Sequence, residues 1–90
     1  MLGQNFPISD YYRENIIDAV TISRSGGWWT AVLAIKDPKT NAPLISLYRW
    51  QQTEQGWKMR NRFHLRNKEQ ILNILKVVQD FSTKLDLPDK

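Results

Sequence analysis

Between Trp57 and Arg66 apolar and basic side chains alternate almost one for one, and no other stretch limits the possible folds of this chain as strongly. Trp57, Met59, Phe63 and Leu65 fall on one parity, and Lys58, Arg60, Arg62, His64 and Arg66 fall on the other. Successive side chains of a strand point to opposite faces, so the segment reads as a strand with one dry and one wet face. Only Asn61 interrupts the apolar side, and a slip of one residue would turn every charge inward. The period changes at Asn67. Beyond it Ile71, Ile74, Leu75, Val78, Phe81 and Leu85 recur at three- and four-residue steps, the stripe of an amphipathic helix that Pro88 closes. Asn67 is placed to cap that helix, with Gln70 positioned for a capping box and Glu69 near the positive end of the helix dipole.

Three earlier runs read as strands. In Ile16 to Arg24, Val20 and Ile22 alternate with Thr21 and Ser23, and Ser25-Gly26-Gly27 then supplies a turn. Trp28 to Lys36 and Leu44 to Gln52 are apolar on both parities, joined through Asp37-Pro38-Lys39-Thr40-Asn41 and followed by a reversal at Glu54-Gln55-Gly56. Four antiparallel strands followed by one helix, ββββα, make an α+β fold. Residues 1–14, with Gly3 and Pro7 and no clear period, read as a loosely held arm, 15–87 as the single domain and 88–90 as a tail.

A chain of 90 residues can bury only one core. One helix covers one sheet face, yet the second and third strands are apolar on both, so a homodimer is expected. No cysteine is present, which excludes a disulfide framework and a cysteine-ligated zinc site. Asp10, Arg13 and Glu14 interrupt any apolar leader near the N-terminus, and no later run is long enough to cross a bilayer. The expectation is an intracellular protein without membrane contact, cytoplasmic and nucleoid-associated or nuclear.

Catalysis finds little material. His64 is the only histidine and falls on the basic parity, away from any orienting carboxylate. Asp10, Asp18 and Asp37 lack a ligand spacing, and Gly26-Gly27 precedes a strand instead of opening a helix, so neither a metal site nor a phosphate loop is indicated. The chain reads as a non-enzyme without a cofactor.

Charge points elsewhere. The net charge is +4, and from Lys58 to Lys68 there are five Lys or Arg residues and no acid. Residues two apart on a strand project the same way at roughly 6.6 Å intervals, so Lys58, Arg60, Arg62 and Arg66, with His64 among them, form a line that a phosphodiester backbone can follow. A solvated sheet face also carries Lys and Arg, but such a face usually mixes signs. Trp28 shares its parity with Thr30 and Lys36, and Tyr48 and Trp50 share theirs with Ser46, which places all three aromatics on the face away from the helix. Exposed rings beside Arg make a stacking platform for unpaired bases, against the plainer reading of core or interface packing. Arg49 fits badly, since it shares a parity with Ile45 and Leu47, and a bulge or the strand's exit would have to reconcile it.

These features lead to a single-stranded DNA-binding domain that uses Trp28, Lys36, Tyr48, Trp50, Lys58, Arg60, Arg62, His64 and Arg66, in transcription regulation or strand protection. RNA is the alternative nucleic acid, because stacking and phosphate contact do not distinguish the sugar. A protein-interaction module that buries its Trp residues against a partner is the alternative of another class.

The Gly27-Trp28-Trp29 segment, the aromatic-basic-aromatic Tyr48-Arg49-Trp50 and the run from Phe63 to Lys76 resemble the positive-cofactor-four and Whirly superfamily of single-stranded DNA-binding transcriptional regulators. The likeness spans about residues 16 to 85. It implies a homodimer whose helices pack together and whose sheets bind melted or single-stranded DNA with little sequence preference.

Overall fold

A computed structural model describes residues 6–89. A four-residue helix α1 (Asp10–Arg13) precedes strands β1 (Ile16–Ser25), β2 (Trp28–Lys36), β3 (Pro43–Thr53) and β4 (Gly56–Leu65), and helix α2 (Lys68–Lys84) follows them. The strands form one antiparallel sheet in the order β1-β2-β3-β4, so the expected α+β sheet with a C-terminal helix is present. Gly26 and Gly27 both take left-handed φ values, 60° and 80°, which a tight two-residue hairpin turn requires and a Cβ would oppose. Asn67 caps α2, its side chain accepting a hydrogen bond from the Gln70 amide at 2.8 Å.

The cover of the sheet differs from the expectation. One face carries Trp29, Ala31, Leu33 and Ile35 from β2 and Leu44, Ser46, Tyr48 and Trp50 from β3, all buried. Its lid is the segment before β1, not the C-terminal helix. Phe6 stacks on Trp29 with centroids 5.3 Å apart, the Trp50 indole N–H donates to the Pro7 carbonyl at 3.0 Å, and Ile8 is buried in the same cluster. The arm expected over 1–14 is therefore an integral part of the core from Phe6 onward, and residues 1–5 lie outside the described residues. Phe6, Ile8 and Tyr12 are too few and too unevenly spaced to register as a period, yet three large side chains suffice to seal one face of so small a sheet.

The second correction concerns β4. Its register with β3 shifts between Arg49 and Trp50, where Asn61 and Met59 are the partners and Arg60 is left over as a bulge. A bulge adds one residue and reverses parity beyond it. Trp57 therefore lies on the covered face with Trp29, at 5.5 Å and edge-on, while Phe63, six residues later, pairs with Leu47 on the other face. The single basic row expected from Lys58 to Arg66 is broken. Lys58 and Arg60 flank Gln51 on the open face, whereas Arg62 and His64 pair with Tyr48 and Ser46 on the covered one.

Candidate nucleic-acid interface

The open face is composed of even-numbered β2 residues and odd-numbered β3 residues, and it divides along the strand direction. Through the middle it is apolar, with Val20 of β1 paired to Val32, Val32 to Leu47 and Leu47 to Phe63, while Asp18 and Lys36 bring charge to the helix end. At the turn end it is polar and basic. Trp28 opens β2 there, in register with Gln51, and Thr30 is in register with Arg49. The Arg49 guanidinium lies 3.8 Å from the centroid of the half-buried Trp28 ring, and Arg60 Nε donates to the Gln51 side-chain oxygen at 2.8 Å. Lys58 pairs with Gln51 in the same row. Ser23, Ser25 and Asn61 complete this end, and the acid closest in sequence, Glu54, sits in the adjoining turn.

The rim of the covered face at the same end repeats the motif. Arg24 stands 4.1 Å over the Trp29 ring and 5.2 Å from that of the half-buried Trp57. A guanidinium resting on an indole face is held by the ring quadrupole, yet its edge N–H groups remain able to meet phosphate. Cations and partly exposed indoles thus alternate around one end of the sheet.

The residues expected at the site are distributed unevenly. Trp28, Lys58 and Arg60 meet at the turn end of the open face. Lys36 is on the same face but closes β2 at the opposite end, eight residues and roughly 26 Å along the strand. Tyr48 and Trp50 are not on the open face. They are 3 % and 0 % exposed, stacked at 5.2 Å with an interplanar angle of 10°, and they form the centre of the core. Ser46, the polar residue that suggested an exposed parity, is fully buried as well. Its hydroxyl is satisfied by His64 Nδ1 at 2.8 Å, which is why it can be there. His64 is half-buried, its ring edge-on to Tyr12 at 6.2 Å. Burial first, then the Arg62 and Arg66 charges, push its pKa below the ordinary 6.5. Arg66 lies past the end of β4 at the helix end, where its charge helps to hold the Asp37 carboxylate below its usual range, after the backbone amides of Lys39 and Thr40.

Arg49 and Arg24 belong to the cluster and were not among the expected site residues. Arg49 did carry a signal, because its parity clashed with core placement of Ile45 and Leu47. Both of those in fact lie with it on the open face. Arg24 carried none, since the two bulges of β1, at Ile17 and Ile22, are not readable from alternation.

Among the described residues no group of His, Cys, Asp or Glu comes together that could hold a metal ion, and no helix is long and apolar enough to cross a membrane. Comparison with family models, with characterised proteins and with solved structures found no match to this chain. The likeness to the positive-cofactor-four and Whirly superfamily therefore stands on the sequence motifs alone.

Proposed function

We propose that this chain binds single-stranded nucleic acid, DNA foremost, through the turn end of its open face, with Trp28, Arg49, Lys58 and Arg60 as the contact residues. The observation that carries the reading is the Arg49 guanidinium 3.8 Å over Trp28 with Arg60 and Lys58 beside it, in an acid-free stretch of sheet. Unpaired bases stack on indole faces whatever their identity, and Lys and Arg hold the intervening phosphates. Arg24 and Trp57 extend the surface around the rim. Nothing in this arrangement selects deoxyribose over ribose, so RNA is the second ligand of the same class. The role is non-enzymatic, in transcription regulation or strand protection inside the cell, and the working form is a homodimer, supported by the apolar middle of the open face.

Anisotropy of labelled oligonucleotides at two salt concentrations tests it. Trp28→Ala and Arg49→Ala are expected to weaken single-strand binding by about 1 to 3 kcal/mol. Arg60→Ala should flatten the slope of log affinity against log salt by about 0.7. Lys36→Ala, at the far end of the face, should behave as the parent. Affinity unchanged in Arg49→Ala and Arg60→Ala together, or lost equally in Lys36→Ala, would reject the site.

A further inference from the structure

Thr30, Arg49 and Asn61 form a row across the open face from β2 to β4, each in register with the next. The adjoining row, toward the middle of the sheet, is Val32, Leu47 and Phe63. Rows two residues apart along a strand are separated by roughly 6.6 Å. At the border of these two the surface dips into a cleft of about 370 Å³, near the lower end of the roughly 300 to 1,000 Å³ of small-ligand sites. Its walls differ in chemistry. Leu47 and Phe63, 37 % and 53 % exposed, give an apolar wall, and Thr30, Arg49 and Asn61 give a polar one with no acid. The Arg49 guanidinium rests its face on Trp28, which leaves its edge N–H groups for a ligand. Neither the Thr30 hydroxyl nor the Asn61 carboxamide is hydrogen-bonded among the described residues.

We propose that this cleft takes one base of a bound single strand and selects guanine, with Arg49 and Asn61 as the reading pair. The inference rests on the single-strand reading and deepens it, because an indole face stacks any base and this cleft does not accept all of them. Arg49 has donors only, and guanine turns two adjacent acceptors, N7 and O6, to such a fork on the edge away from its sugar. Adenine presents an amino group beside its N7, donor against donor, and thymine or uracil presents a single acceptor. Cytosine has a pair of acceptors in N3 and O2, but its O2 lies beside the glycosidic bond, where the sugar crowds the fork. On the other side of guanine O6 stands N1–H, a donor that the Asn61 carboxamide oxygen can accept. The ring plane lies against Phe63, and a purine covers more of that surface than a pyrimidine does.

Fluorescence anisotropy reads the preference with a short oligothymidylate and with the same strand carrying one guanine, adenine or cytosine at its centre. The guanine strand should bind about tenfold more tightly than oligothymidylate, within the range of one bidentate contact. Inosine keeps N7, O6 and N1–H and should match guanine, whereas 7-deazaguanine lacks N7 and should lose most of the gain. Asn61→Ala should cut the guanine-to-thymine affinity ratio by about threefold or more. Its melting temperature checks that the sheet is intact, and the base analogues test the cleft on the parent chain in any case. Equal affinity for all the strands would overturn the base pocket and leave the single-strand site standing, whereas no binding of any strand would remove that site and the pocket with it. Tightest binding to adenine or cytosine, or an undiminished guanine preference in a folded Asn61→Ala, would overturn the assignment of the reading pair.

Discussion

Trp50 joins β2, β3 and the segment before β1 through one side chain. It sits between Trp29, at 4.9 Å, and Tyr48, and its N–H reaches the Pro7 carbonyl, so it ties the segment before β1 to the middle of the sheet. Trp50→Ala removes a fully buried indole and leaves that carbonyl unpaired, and a loss of about 3 to 5 kcal/mol is expected. Chemical denaturation should show a midpoint strongly lowered from the parent's, since small domains hold only about 5 to 15 kcal/mol in all. His64 gives a second test at this scale. Its folded pKa lies below 6.5, so between those two values the unfolded chain binds the proton and the folded chain does not. Stability is full above about pH 6.5 and falls as pH drops through the window. Melting temperatures should decline as pH falls below about 6.5, and His64→Gln should remove that part of the decline. Asp37, whose pKa is depressed from 3.8, loses its contribution only at lower pH and does not obscure the effect.

Elements differ in how much of themselves they disclose. Helix α2 is legible end to end, because a polar cap, a three-to-four stripe and a closing proline are local signals. Strand β4 looks equally legible and is not. Its alternation is real, but the bulge at Arg60 makes the residues before and after it face opposite ways. Deleting Arg60 is expected to restore unbroken pairing and so force a conflict, with either Trp57 and Met59 or Arg62 and His64 thrown to the wrong face. The variant should melt at a lower temperature than Arg60→Ala, which keeps the extra residue and loses only the bond to Gln51. Equal melting of the two would show that the bulge is not structural.

The described residues leave apolar surface uncovered on one side of the sheet and along a helix. A protein that folds as it associates has a melting temperature that depends on its own concentration. Calorimetry over a hundredfold range of chain concentration should show a rising midpoint, and a constant midpoint would mean that the monomer is stable alone. Nucleic acid should raise the midpoint further at low salt and less at high salt, as binding to the folded state alone requires.

Local chemistry by itself determined where each strand and α2 begin and end, which turns need glycine, and that the chain is basic and aromatic in its middle. These are properties of neighbours a few residues apart, set by backbone sterics, capping and period. Tertiary structure alone decided which face each strand turns to the core. Tyr48, Trp50 and Ser46 share a parity that composition reads as exposed, yet Phe6 and Ile8, some forty residues away in sequence, bury it. Arg49 and Trp28 meet only because β2 and β3 pair in one register. Parity is a relative quantity, reversed by any bulge and given an inside only by what packs against it. That partner is a long-range contact, which no window along the chain contains.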